Sequence, residues 1–177
     1  GLVYGTVNAH RPVVTRYHIH VEKPAGEREK LHIVMVSDIH LGNIVGRDRL
    51  EGMVKQINQM QPEIVLLAGD IIDGDIRPFE QQAMGELLRG IHAPLGVYAV
   101  PGNHEYLGGQ YRQLLAALQD SGVVVLRDQV LLLDGFYLAG RDDKISRQRK
   151  PLAEVLAGVD HAYPIILLDH NPVDIQE

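Results

Sequence analysis

Side chains able to bind metal ions close four successive apolar runs of this chain. "LHIVMVSD" (31–38) leads to Asp38 and then His40, and "EIVLLAGD" (63–70) leads to Asp70 and then Asp73. "GVYAVPGNHE" (96–105) carries Asn103 and His104, and "PIILLDH" (164–170) carries Asp169 and His170. Each piece has an ordinary explanation: Gly-Asp after a strand is often a turn with a capping carboxylate, and Asn-His in a loop is usually solvated. Turn chemistry alone does not explain four in succession. Carboxylate, imidazole and amide oxygen without thiolate suit Mn, Fe or Zn rather than a structural zinc cage. A carboxylate such as Asp70 can bridge two cations, and two ions about 3.5–4 Å apart can acidify one water for in-line attack on phosphorus.

The elements needed to bring these groups together are legible as a rhythm. Strand 31–38 precedes a helix "DRLEGMVKQINQM" with Leu50, Met53, Val54, Ile57 and Met60 at helical spacing. Strand 63–70 precedes a helix over 79–90 that stops at Gly90, and strand 96–105 precedes "QYRQLLAALQDSG" with its stop at Gly122. Val123–Leu126 and "QVLLLDGFYLAG" (129–140) follow, with Asp134-Gly135 a strong hairpin signal. A helix from Pro151 and the strand 164–170 complete the pattern. Strand–helix alternation implies right-handed βαβ crossovers and a largely parallel sheet, so the fold class is α/β. Asp38 to Asp70 is 32 residues and Asp70 to Asn103 is 33, about one unit each. Ligands at the carboxyl ends of parallel strands therefore converge on one edge of the sheet.

Residues 1–30 stand apart as an N-terminal extension, in which the alternation of "VVTRYHIHV" (13–21) predicts an edge strand and Lys23-Pro24-Ala25-Gly26 a turn. His18 and His20 would share one face of that strand, for which partial exposure is a simpler reading than a metal site. The Met and Leu stripes (Met53, Met60, Met84, Leu87, Leu114, Leu118) read as core. Arg47, Asp48 and Arg49 read as solvated, Glu105 as structural and Asp169 as a solvated or capping residue. Asn43 and Tyr106 lie close enough to the motifs to touch substrate. Arg141 with Asp142 and Asp143 fits either a turn or a contact behind the ligands.

Composition narrows the function. The 177 residues, 45% hydrophobic and 23% charged, fit one globular domain. A formal net charge of −6 argues against duplex nucleic acid as a partner, since phosphate binding relies on a basic face. No cysteine is present, so neither disulfides nor thiolate sites arise. No apolar run approaches the roughly 18 residues of a membrane span. "SDIHLGNIVG" lacks the glycine pattern of a dinucleotide site, and no phosphate-loop motif occurs.

Taken in order and spacing, "DIH", "GDIID", "GNHE" and the strand-borne "DH" resemble the calcineurin-like metallophosphoesterases, from about residue 31 to the chain's end. The resemblance implies a metallophosphoesterase-type α/β/β/α sandwich with mixed sheets over 31–177. It implies two divalent metal ions, with Asp38 and His40 on the first, Asp70 bridging, and Asn103 and His170 on the second. His104 would be the general acid, oriented by Asp73, and a bridging hydroxide would attack a phosphate mono- or diester. Two departures matter. The family's downstream Gly-His-x-His motif is absent, which implies an incomplete domain, truncated at its C-terminus. Gly74 stands where the protein Ser/Thr phosphatases of the superfamily carry Arg. The flanking "VYGTVNAHRPVVTRYHI" and "GRDD" resemble a bacterial group of predicted phosphohydrolases, often anchored by N-terminal transmembrane helices. Membrane association of the parent protein and a small-molecule or lipid-linked phosphoester substrate follow as expectations. The alternative from another class is a catalytically inactive metal-binding or scaffold domain.

Overall fold

A computed structural model describes residues 13–173 and 175. Four strands, β1 (Ile33–Val36), β2 (Ile64–Ala68), β3 (Val97–Val100) and β4 (Val124–Val125), form a parallel sheet in sequential order. Between them run the helices α1 (Arg47–Gln59), α2 (Ile76–Gln81), α3 (Met84–Arg89), α4 (Asn103–Leu107) and α5 (Tyr111–Asp120). Right-handed crossovers between strands in simple sequential order put every helix on the same face. The core reflects this. Leu50, Val54 and Ile57 of α1, Phe79 of α2, Met84 and Leu88 of α3, and Leu114 and Leu118 of α5 pack with Val34, Val65, Leu67, Val97 and Ala99.

The other face of that sheet is left free for a second sheet. β5 (Gln129–Leu132) pairs antiparallel with β6 (Tyr137–Gly140), and β6 pairs parallel with β7 (Ile165–Leu168). Period-two alternation sends Ile64, Leu66, Ala68, Tyr98 and Val100 to this side, against Phe136, Leu138 and Leu168. β2 is therefore covered on both faces, and all five of its residues are buried. Among the described residues the first sheet is all-parallel and only the second is mixed. Among the described residues after β6 the one helix is the four-residue α6 (Leu152–Val155).

Three local differences from the sequence reading have physical causes. The helix expected over 79–90 is two helices, because Ala83 takes a left-handed conformation (φ 47°) that no continuous α-helix accommodates. Asn103 to Leu107 form a helical turn rather than the end of a strand. The edge strand expected over 13–21 is absent. Val13, Tyr17 and Ile19 are exposed and no ladder forms there, so the alternating pattern buries nothing. His18 and His20 are likewise exposed. The upstream residues 1–12 lie outside the described residues. A turn does form, two residues later than expected, with Arg28 N–H donating to Ala25 O at 3.1 Å and Gly26 at φ 64°. Arg28 then ties this segment to the domain through Glu63 (2.5 Å) and Asp134.

Candidate metal centre

The first two strands hand their sequels to one another. Asp38 N–H donates to Gly69 O (3.1 Å), His40 N–H to Asp70 O (3.0 Å) and Leu41 N–H to Ile71 O (2.8 Å). The parallel ladder is thus continued past the strand ends by loops. Holding Asp38, His40 and Asp70 in that arrangement requires left-handed backbone at all three (φ 55°, 51° and 50°). Non-glycine residues rarely adopt it, at a cost of about 1–3 kcal/mol each, and such strain gathers at functional sites.

The result is a cluster. Asp38, His40 and Asp70 each offer a ligand atom within 4.8 Å of the others, as do His40, Asp73 and His104. Asp70 is buried and its two oxygens are used differently. Oδ1 accepts from His104 N–H at 2.9 Å. Oδ2 lies 3.7 Å from His40 Nε2 and 3.5 Å from His170 Nε2. His170 Nδ1 is 2.8 Å from Ala68 O, a group that only accepts. Nδ1 therefore carries a proton and donates to it, and Nε2 is turned toward Asp70 and Asn103 Oδ1 (3.3 Å). His104 Nδ1 lies 2.9 Å from Asp73 Oδ1, and the His40 and His104 rings meet edge-on at 4.5 Å.

Two glycines make this approach possible. A Cβ at Gly102 would come within 2.2 Å of Asp70 Oδ1, and one at Gly69, already at φ 85°, within 2.6 Å of the His170 ring. The donor set of carboxylates, imidazoles and an amide oxygen around Asp70 Oδ2 fits divalent ions. Gly102→Ala is expected to weaken Mn²⁺ binding by about 10–100-fold, the scale found when ligand orientation is disturbed. Calorimetric titration checks this, and unchanged affinity would mean that the cradle is not needed.

Glu105 underlies the whole arrangement. It is fully buried (0% exposed), and its carboxylate accepts from Asp70 N–H (3.1 Å), Ile71 N–H (2.7 Å), Ile72 N–H (2.9 Å) and Gly102 N–H (2.7 Å). Burial pushes its carboxyl above the ordinary value, while the amides of Ile72, Gly102 and Ile71 oppose that shift.

The structure therefore brings Asp38, His40, Asp70, Asp73, Asn103, His104 and His170 into one connected cluster. Other expectations are corrected. Asp169 is not solvated: its side chain is 3% exposed and pairs with Arg141 and Arg149. It does also cap, accepting from Asn171 N–H at 3.1 Å. Burial pushes its carboxyl up, against the opposing guanidiniums. Arg47 is not merely solvated but donates to Gln82 O and Ala83 O, both at 2.8 Å. Tyr106 turns its hydroxyl to Asp142 and stacks on Tyr111. Burial, then the Asp142 contact, pushes its phenol up. Asn43 is exposed. Arg149 was not singled out from sequence, and nothing in "SRQRK" marks it.

Comparison with known proteins supplies a family. The family model described as calcineurin-like phosphoesterase matches residues 31–176. A Danio rerio protein named "Transmembrane protein with metallophosphoesterase domain" is 34% identical over 184 residues, covering 96% of this chain and 42% of that protein. An "Uncharacterized metallophosphoesterase" of Aquifex aeolicus is 36% identical over 169 residues, 88% of this chain and 63% of that one. The chain thus spans about half the length of these curated relatives. Among solved structures, the Pseudomonas putida nuclease MPE aligns with a TM-score of 0.42 and 18% identity, over 76% of this chain and 59% of that one. The loops after β1, β2 and β3 of the first sheet thus meet the loop after β7 of the second, not one edge of a single sheet as the sequence implied, and with the family model matching residues 31–176 the chain belongs to the calcineurin-like phosphoesterase family.

Proposed function

We propose that this chain is the metal-binding part of a phosphoesterase that uses two divalent ions, Mn, Fe or Zn. Asp38, His40 and Asp70 hold one ion, and Asp70, Asn103 and His170 hold the other. The observation that carries this reading is the placement of Asp70 Oδ2 between His40 Nε2 and His170 Nε2, with Oδ1 tied to the His104 amide. A carboxylate so placed has one oxygen fixed and the other turned to two imidazoles at once.

The chemistry supplied by ions held there is Lewis acidity, which acidifies a water and offsets charge on the phosphoryl oxygens. The chain's own residues do the rest. Asp73 accepts from His104 Nδ1 and so turns Nε2 away from itself, toward a leaving-group oxygen. His104 Nε2 then delivers its proton to that oxygen as the ester bond breaks, while Asp73 stabilises the charged ring until it does. The substrate is a phosphate mono- or diester, small or lipid-linked. No helix among the described residues is long and apolar enough to cross a membrane. Two relatives are named as transmembrane proteins, which supports a membrane-associated parent.

The test is metal content together with turnover of bis-p-nitrophenyl phosphate at saturating Mn²⁺. Metal-free, inert protein would favour the inactive-scaffold alternative. In His104→Ala the backbone amide that holds Asp70 survives, so metal binding is expected to persist. Turnover of an alkyl ester should fall by about 10²–10⁴-fold. The p-nitrophenyl ester, whose leaving group needs little protonation, should lose less. Equal losses on both esters would remove His104 from the proton-donor role.

A further inference from the structure

Behind the candidate ligands lies a cluster of buried charges with no part in the proposed reaction. Immediately after β6, Arg141, Asp142 and Asp143 are 2%, 2% and 0% exposed. Charged residues lie this deep only when paired. Arg141 Nη1 donates to Asp169 Oδ2 (3.4 Å) and Val173 O (3.2 Å), and Nη2 to Lys150 O (3.1 Å). Arg149 donates from Nη2 to the same Asp169 Oδ2 (2.9 Å) and from Nη1 to Asp142 O (3.0 Å). Asp143 Oδ2 accepts from Asn171 Nδ2 at 2.6 Å, and its Oδ1 accepts from Ile145 N–H at 2.9 Å.

The placement of these contacts is what matters. Asp169 and Asn171 are the two neighbours of His170. One is clamped by two guanidiniums and the other by a carboxylate, all within or joined to the 141–143 segment. β7 ends at Leu168, so the sheet ladder no longer fixes the backbone at His170. From the other side, Asp142 accepts from the hydroxyl of Tyr106, which sits on α4 three residues after Asn103. One buried segment therefore anchors the helix that carries Asn103 and the loop that carries His170. Apolar residues of similar volume would stabilise such a site about as well. The charges are better explained by the geometry they impose.

We infer that Arg141, Asp142 and Asp143, with Arg149, are positioning residues for the Asn103–His170 pair. They set the 3.3 Å spacing of its donors and the seat of the His170 ring against Ala68 O. The assignment of that pair to one ion rests on the proposed function; the positioning itself does not.

The Asp143–Asn171 contact allows a polarity exchange. Asn171→Asp alone sets two carboxylates against each other. Combined with Asp143→Asn, the amide donates in the opposite direction and the Ile145 N–H keeps its acceptor. Two readouts apply: calorimetric Mn²⁺ titration, and imidazole ¹⁵N shifts of neutral His170 in the metal-free chain. Asn171→Asp is expected to weaken one ion by about 10–100-fold, to leave the other within about twofold, and to mix the His170 tautomers. The double variant should restore both. Asn171→Ala serves if the single charge variant does not fold.

An unmoved His170 tautomer in the single variants overturns the inference. So does equal weakening of both ions, or failure of the double variant to restore them at unaltered urea stability. If the unaltered chain binds no metal, the proposed function fails, and the tautomer readout still decides the positioning role.

Discussion

Asp70→Asn is expected to lower phosphoester turnover by about 10³-fold, the scale of removing a preorganised group that stabilises developing charge. The substitution is close to isosteric, so the amide oxygen can still accept from His104 N–H where Oδ1 does now. What it removes is the negative charge on the oxygen facing both His40 and His170. Asp70 is 4% exposed, and among the described residues no Lys or Arg pairs with it. A carboxylate buried without a firm counter-charge costs free energy, and a neutral amide of the same shape does not carry that cost. The thermal midpoint of the metal-free variant should therefore hold or rise, while the increase produced by Mn²⁺ in the unaltered chain should vanish. That opposite movement separates loss of the site from loss of the fold. Undiminished turnover, or a persistent Mn²⁺-dependent shift, would dismiss Asp70 as the shared ligand.

Glu105→Ala is expected to destabilise the domain by about 3–5 kcal/mol, a large share of the roughly 5–15 kcal/mol a domain possesses. Four amides, those of Asp70, Ile71, Ile72 and Gly102, lose their acceptor at a site with no exposed surface. Each orphaned buried donor costs about 1–3 kcal/mol, and water entering the new space recovers part of it. Glu105→Gln should do little better. Its amide nitrogen must face two of the four N–H groups, donor against donor. Urea unfolding measures both variants, and a midpoint within error of the unaltered chain would show that the amides find other acceptors. Because the Asp70 loop hangs on Glu105, Mn²⁺ affinity should fall with stability.

The fold was legible where burial follows a simple period. β1, β2, β3 and β7 stand within the apolar runs that suggested them, and Asp134-Gly135 turns the β5–β6 hairpin as its residue types imply. The candidate ligands were legible because they stand at or just past glycines and strand ends; parallel order brings the loops of β1, β2 and β3 to one edge, while the loop of β7 arrives from the second sheet. What failed depends on partners distant in sequence. Asp169 reads as solvated until Arg141 and Arg149, 28 and 20 residues away, enclose it. Ala83 gives no local sign of its left-handed turn. Residues 13–21 alternate like a strand, yet pairing needs a neighbouring edge, and none forms. The role of Glu105 had a faint signal, an acid three residues after a glycine at a helix start, but four amides from two loops were not foreseeable from it.

The hydrogen bond from His170 to Ala68 O spans 102 residues of chain. Contacts that close so long a loop are entropically late in folding. The four-stranded sheet, built from adjacent βαβ units, can assemble from local contacts well before β7 docks. On a refolding chain, then, Asp38, His40 and Asp70 come together with the sheet, and His170 joins them only when the last strand arrives. Mn²⁺ added during refolding should change the rate of that final step if His170 helps to hold it.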